Sequence, residues 1–509
     1  MTATPDSRPP RWGIRFTGDA VRHSTLPLCT AAVPGILRVP LQQHIGHRTV
    51  PLVAAGERVL KGQPLGAVRD QTLGARVHAP SSGVVRGLEN LTAPGRPATP
   101  AVVIETDGAD EVWPGYPAHA KPLRLATSAL RQAVIEAGIV GLGGAAFPAG
   151  LKLNKGGGVD TLILNGAECE PCINCDAALL QADPQRVLLG AQIMLRILEA
   201  DVCLVAVKQG MDAAAAALAG AIEQVGDDRL RLVTVPPVYP VGGEAQLINV
   251  LTGREIPAGG LPWDSGAVCQ NVATAAAVAR FLTSGEPLIS RIVTVTGAGV
   301  ARPTNFDARI GTPVAALIAA AGGYVGRECR LIMGGAMMGV PLANDSQPVT
   351  KATNCFYVAA PTETTPRSPE RPCIRCGDCA TVCPVNLMPQ LLLQSGRKND
   401  FEQLEHLGLQ SCIECGACDY VCPSRIPLTQ QFAANKQALW ERARERRQAE
   451  QAERRFSARE ARLAAAAAER TAALNSQTEA PEAALAELLK RVENGNDRTT
   501  KDPDTADKG

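Results

Sequence analysis

The sequence has no uncharged apolar run of about 18 residues, the length a helix needs to cross a bilayer, so no membrane-spanning helix is expected. The stretch Met1 to Pro10 is proline-rich and polar and lacks the apolar core of a secretory leader, so export is not expected either. Neither sign of charge prevails. Lys and Arg total 51 against 50 Asp and Glu, which calls for no nucleic acid or other polyanion partner. Sixteen cysteines in 509 residues could form a disulfide framework, but such frameworks belong mostly to small secreted chains. A reducing cytosol is the better expectation, and the length allows three or four domains.

What the chain does have is cysteine at repeated short spacing. Cys373-Ile-Arg-Cys376-Gly-Asp-Cys379-Ala-Thr-Val-Cys383-Pro384 is followed by Cys412-Ile-Glu-Cys415-Gly-Ala-Cys418-Asp-Tyr-Val-Cys422-Pro423. Three thiolates that wrap three irons of a cubane need a tight loop, and Gly377 and Gly416 let the backbone turn close to the sulfides. In two-cluster ferredoxins the fourth Cys of each run serves the other cluster. The expected sets are therefore Cys373, Cys376, Cys379, Cys422 and Cys412, Cys415, Cys418, Cys383, holding two [4Fe-4S] clusters. Structural zinc is the plain alternative, but it takes four local ligands, and the pattern here is three followed by Cys-Pro. Leu387 to Leu407 carries apolar residues at helical spacing, which predicts a helical two-cluster unit.

Clusters carry single electrons, so a hydride donor would need a flavin to split the pair. Gly141-Leu-Gly-Gly-Ala-Ala-Phe-Pro-Ala-Gly150-Leu-Lys152 offers glycine backbone to an anion and a lysine to match its charge. A plain glycine-rich turn between two helices explains this segment equally well by itself. Thr161-Leu-Ile-Leu then reads as a buried strand ending in Asn165-Gly-Ala-Glu168-Cys-Glu170-Pro171, and strand C-terminal ends are where α/β sheets bind ligands.

Together these segments resemble the flavin-carrying subunit of respiratory complex I and, more closely, the C subunit of the Rnf (Rsx) electron transport complex, over roughly Pro27 to Pro427. The resemblance implies that Gly141, Gly143, Gly144, Lys152, Asn165 and Glu168 surround FMN, with Phe147 near the nicotinamide and Glu170 toward NADH. It extends to Tyr239-Pro-Val-Gly242-Gly243-Glu244, similar to the segment covering the flavin, and to Gln270-Asn271-Val-Ala-Thr274. Glu244 is thereby expected to help orient the nucleotide. Leu142, Ala167 and Gly243 depart from the complex I pattern, which has Arg, Asp and Glu there. Singly, Glu170 and Glu244 could face solvent and Phe147 could be core.

Two segments imitate sites. Val293-Thr-Val-Thr-Gly297-Ala-Gly299 resembles a dinucleotide turn, but Arg302-Pro303 blocks the helix that should follow. Cys169, Cys172 and Cys175 imitate a third metal run and are expected to be packing thiols. Val39 to Thr106 resembles a biotinyl/lipoyl-like barrel-sandwich hybrid, but its hairpin, Asp70-Gln-Thr-Leu-Gly74-Ala-Arg, lacks the lysine a carrier would modify. His78 is expected to pack. Glu441 to Arg470 holds nine Arg and six Glu and reads as a solvated helix, or alternatively a basic face for a membrane or partner. Asn475 to Gly509 is expected to be disordered.

The expected architecture is multidomain α/β and α+β. It comprises an extension (1–26), a barrel-sandwich hybrid (27–110), a complex I flavoprotein-like FMN/NADH domain (120–285), an SLBB β-grasp-like domain (286–360), a helical 2×[4Fe-4S] ferredoxin-like domain (365–430) and a helical or disordered tail (431–509). The resemblance implies a peripheral subunit at the cytoplasmic face of the inner membrane. It would oxidise NADH at FMN and pass electrons to membrane and cytoplasmic partner subunits or ferredoxin, with coupled ion movement. No side chain is expected to act as a nucleophile or general base. A cobalamin reductase and a flavin-free electron wire are the alternatives.

Overall fold

The computed structural model describes residues 10–16, 26–68, 73–92, 98–154, 158–257, 259–326, 328–364 and 369–495, with backbone alone for 477–480 and 495. Residues 69–72 of the carrier-type hairpin therefore lie outside the described residues. The chain forms two compact units, Met1–Ala433 and Ala434–Gly509.

The first unit opens with β1 (Leu28–Thr30) and seven short strands: β2 (Ile36–Pro40), β3 (Val50–Pro51), β4 (Arg58–Val59), β5 (Pro64–Ala67), β6 (Val77–His78), β7 (Gly83–Leu91) and β8 (Thr99–Thr106). They make two sheets, β2-β8-β7-β4 and β3-β5-β6. Alternate residues Leu37, Val39, Val102 and Ile104 turn inward with Leu65 and Val77, so two small apolar faces close into one core.

Next come α1 (Thr127–Glu136), α2 (Ala149–Leu153), β9 (Thr161–Gly166), α3 (Cys175–Ala182), α4 (Pro184–Leu198), β10 (Val202–Lys208), α5 (Asp212–Val225), β11 (Leu230–Val235), α6 (Glu244–Thr252), β12 (Ala267–Asn271) and α7 (Val272–Ser284). The four strands are parallel, in the order β11-β10-β9-β12. Both faces are covered, and the sequence provides for this. Leu162 and Leu164 of β9 join the core that holds α4 and α7, while Ile163 joins Leu247 and Ile248 of α6 on the other side. The chain runs outward from β9 to β11 and then returns to place β12 on β9's other edge. The direction of winding thus switches between β9 and β12, where open α/β sheets bind ligands.

A six-stranded sheet follows: β13 (Ser290–Thr296), β14 (Thr304–Arg309), β15 (Arg330–Met333), β16 (Val340–Pro341) and β17 (Cys355–Ala359), with α8 (Val314–Ala320) and with β1 added on its edge. The glycine turn after β13 leads to an antiparallel strand and not to a helix, in keeping with Arg302-Pro303. Then come α9 (Asp378–Thr381), which carries Cys379, α10 (Pro389–Arg397), α11 (Phe401–His406), α12 (Ala417–Val421), which carries Cys418, and α13 (Leu428–Gly495), the other cysteines of the two runs lying in the loops beside α9 and α12. α13 corrects one expectation: residues 475–495 are helical, not disordered. Ala-Ala-Leu-Ala-Glu-Leu-Leu-Lys-Arg favours helix, and Pro481 interrupts a helix already propagating on both sides.

One buried cation joins the three parts that precede the cysteine runs. Lys351 has no exposed surface. Its Nζ donates to the Arg76 carbonyl beside β6 (2.6 Å) and to the Gly138 carbonyl after α1 (2.7 Å). Its own amide donates to Gln43 Oε1. Burial lowers its pKa to about 7, and the charge helps press His44 down to about 4 and His78 well below the usual histidine value. An unfolded lysine keeps its proton to about pH 10, so between pH 7 and 10 the unfolded chain binds more protons and stability rises with pH. We expect the denaturant midpoint to climb from pH 7 to pH 9 in the wild type, and Lys351→Met to flatten that climb.

Candidate functional site

The C-terminal ends of β9 and β12 meet in register, with Asn165 opposite Asn271. Asn271 caps α7 by accepting from Ala273 N (2.9 Å), and its Nδ2 donates to the Asn165 carbonyl (3.3 Å) and to Asp176 (2.7 Å). Asn165 spans the other way, donating to the Gly242 carbonyl (2.8 Å). The glycine loop is docked onto this point. Leu142 N donates to the buried Thr274 hydroxyl (2.9 Å), and a Cβ on Gly143 would stand 3.6 Å from that of Asn271. The loop closes on itself through Gly141 N to the Phe147 carbonyl (2.8 Å), leaving Phe147 half-buried and the backbone of Gly143 to Ala145 exposed. Gly144 has φ +107°, with open space where a side chain would point. A Cβ on Gly242 would stand 3.0 Å from Cys169 Sγ, so a larger residue there would have to displace that sulfur.

This arrangement fits a flavin phosphate. Exposed loop backbone stands at the sheet's switch point, and Lys152 follows on α2 as the matching cation. In the structure Lys152 forms an ion pair with Glu244, the first residue of α6. Gly141, Gly143, Gly144, Lys152, Asn165, Gly242, Glu244, Asn271 and Thr274 thus come together at this edge of the sheet.

Two of the expected carboxylates are engaged elsewhere. Glu168 accepts from the amides of Asp176 (2.9 Å) and Ala177 (3.1 Å), so it closes the N-terminal turn of α3. Glu170 accepts from Met337 N (2.6 Å) and Met338 N (2.9 Å), fastening the loop after β15 to the flavin side. Both are partly buried, and burial raises the pKa of both. Asp176 lies against Glu168, and burial together with that negative neighbour lifts it to about 8.

The Cys175 sulfur belongs to this carboxyl group and packs against Cys355, whereas Cys169 joins the apolar cluster around Tyr239. Among the described residues, the sulfurs of Cys169, Cys172 and Cys175 are not gathered at ligand distance.

Sequence reasoning missed Arg291 on β13. It is buried and donates to the carbonyls of Leu142 (3.0 Å) and Lys351, so the six-stranded sheet holds the glycine loop from behind. An arginine inside the apolar strand Ser-Arg-Ile-Val-Thr-Val was the available signal.

The thiols of the two runs pair crosswise. Cys373, Cys376, Cys379 and Cys422 line one cavity together with Gly377 and Pro423. Cys415 lies near Cys383 and Cys412, and Cys418 lies near Cys412 and Cys415. Four cysteines around one cavity are the donor set of a [4Fe-4S] cluster. The second run faces the flavin side: the Tyr239 hydroxyl donates to the Cys415 carbonyl (2.6 Å), and Ile14, Tyr239, Cys415 and Ala417 share a core with Met337.

Four family models match the chain: the RnfC barrel sandwich hybrid domain over residues 11–109, the Nuo51 FMN-binding domain over 134–280, the SLBB domain over 292–341 and the 4Fe-4S dicluster domain over 372–426. Several bacteria have relatives named as the C subunit of an ion-translocating oxidoreductase complex. That of Pseudomonas aeruginosa is 45% identical over 89% of this chain and 58% of its own length, and that of Yersinia enterocolitica 41% over 89% and 64%. The Rhodobacter capsulatus relative is 42% identical over 81% of this chain and 80% of its own. The chain therefore spans less than two thirds of the length of the first two. Among solved structures, an NAD+-reducing [NiFe]-hydrogenase aligns over 62% of this chain and 64% of its own with 20% identity and a TM-score of 0.44, too low to bear on function.

Proposed function

We propose, for a chain that belongs to the family of C subunits of ion-translocating oxidoreductase complexes, that it oxidises NADH at FMN and delivers the electrons singly through two [4Fe-4S] clusters to partner subunits or ferredoxin. FMN would supply the conversion of a hydride pair into single electrons. The chain's own residues position it. The glycine loop and Lys152 hold the phosphate, Asn165 and Asn271 fix the loop to the sheet, and Glu244 and Phe147 stand where a nucleotide would enter. Cys383, Cys412, Cys415 and Cys418 would hold the cluster on the flavin side and Cys373, Cys376, Cys379 and Cys422 the other, and the pair would supply single-electron transfer.

One contact carries this reading. Tyr239 begins the segment that bonds Asn165 at Gly242, and its hydroxyl also bonds the backbone of Cys415, so one short segment links the flavin edge to the second cysteine run. No helix among the described residues is long and apolar enough to cross a membrane. We infer peripheral attachment at the cytoplasmic face to membrane partners that couple electron flow to ion movement.

Anaerobic NADH titration of the purified chain, followed by absorbance and EPR, tests the assignment. Flavin bleaching followed by two cluster signals is expected. Purified protein without flavin would instead establish an electron wire, and flavin that NADH fails to bleach would reverse the assigned direction.

A further inference from the structure

We propose that the two cysteine sites are built for unequal reduction potentials, with the flavin-side site the lower, and that the Asp419 carboxylate sets most of the difference. The inference rests on the two-cluster reading but not on NADH as the donor. One-electron reduction takes a [4Fe-4S] cluster from the 2+ to the 1+ state and so adds negative charge to iron already held by four thiolates. Burial and nearby carboxylates oppose that charge, whereas water and nearby cations favour it.

The two runs are backbone copies, so their surroundings can be compared residue by residue. Arg375 and Glu414, Gly377 and Gly416, and Asn386 and Arg425 occupy equivalent places, and all have positive φ. The third cysteine of each run has one neutral polar neighbour at the matching position. Gln390 Oε1 lies 3.6 Å from Cys379 Sγ, and Thr429 Oγ1 lies 3.8 Å from Cys418 Sγ.

Beyond that point the copies diverge. Ala380 follows Cys379, but Asp419 follows Cys418, and its Oδ1 stands 3.7 Å from Cys418 Sγ. The same oxygen accepts from Thr429 N (2.8 Å), so the first turn of α13 holds the carboxylate toward the sulfur. The loop tips differ in the same sense, with exposed Arg375 in the first run and half-buried Glu414 in the second. The first run has a carboxylate of its own, Asp378 before Cys379, but it is exposed, water screens it, and Arg375 in the same loop opposes it.

Burial adds to the difference. Cys373 and Cys376 of one site are exposed, while Cys383 and Cys415 of the flavin-side site are buried. One contact acts the other way, the donation from Leu387 N to Cys383 Sγ (3.3 Å). It sets a dipole against a full charge, and in a half-buried site a charge a few ångströms away is the larger effect. The exposed site is therefore the one that holds an electron at equilibrium.

The test uses the full chain in two backgrounds, Cys373→Ala to keep the flavin-side site and Cys412→Ala to keep the exposed one. Each is titrated with dithionite and mediators at one pH and followed by EPR. At any fixed potential the reduced-to-oxidised ratio of the flavin-side site should be about ten-fold lower, a gap of about 59 mV for one electron. Asp419→Asn should raise that site's ratio about ten-fold, and Asp378→Asn should move the exposed site by much less. Asn still offers an oxygen to Thr429 N, so an Asp419 that merely held α13 would leave the potential unmoved. If Asp419→Asn lost iron, Asp419→Ser would take its place. The intact chain gives the same answer without the cysteine variants, as two reduction waves of which Asp419→Asn moves only the lower. Equal potentials, the reverse order, or a flavin-side potential indifferent to Asp419 would overturn the proposal. The expected order in a chain that NADH fails to reduce would leave it standing and refute the NADH assignment alone.

Discussion

Cys422→Ala and Cys373→Ala should each remove about half of the bound iron, and the two together should remove no more than either alone. Cys422→Ala combined with Cys412→Ala, both from one run, should remove nearly all of it. The expectation follows from the shared cavity of Cys373, Cys376, Cys379 and Cys422 and from the proximity of Cys383 to Cys415. If each run instead held its own cluster, the outcomes of the two pairs would be exchanged. Iron analysis with EPR of the reduced protein distinguishes these patterns without reference to NADH. A second consequence concerns the link to the flavin. Loss of the cluster that includes Cys415 should stop reduction of the remaining cluster by NADH, whereas loss of the one that includes Cys422 should leave the remaining cluster reducible.

The cysteine runs were legible because their chemistry is local. Ligand spacing, the glycines at positive φ and the proline after the fourth cysteine all lie within a few residues, and the backbone repeats them in both runs. The β9 strand, the glycine loop and Asn271 were legible for a related reason: each combines a local signal with a position at the end of an element. What could not be read was set by partners far away in sequence. The sequence places Glu168 and Glu170 after β9, but whether a carboxylate meets a ligand or a backbone amide depends on where α3 and the Met337 loop fall. Arg291 and Lys351 bond carbonyls rather than side chains, so no complementary residue type marked them. The tail went wrong differently. Asn475-Ser-Gln-Thr and Pro481 look like breakers, yet flanks rich in Ala, Leu and Glu carry the helix past a proline that costs it about 3 kcal/mol.

The ion pair between Lys152 and Glu244 makes the flavin site asymmetric to mutation. A flavin phosphate that binds Lys152 competes with a carboxylate already there, and it also approaches that carboxylate's negative charge. Lys152→Ala should therefore weaken flavin retention by roughly ten- to a hundred-fold, the range for one charge-assisted contact. Glu244→Gln should tighten retention, because it frees the lysine and removes a like charge at small cost to packing. The two substitutions affect the same pair, and a role confined to holding α2 against α6 would make both weaken it. Flavin fluorescence titration of the apoprotein separates these cases. The reading of Glu244 as a nucleotide-orienting group adds a second, opposed effect: the same Glu244→Gln protein, holding its flavin more firmly, should show a raised KM for NADH. Tighter flavin with an unchanged KM would leave Glu244 as a counter-ion to Lys152 and nothing more, and would move the search for the nucleotide's hydroxyl partner to other groups along the exposed rim between Gly143 and Phe147.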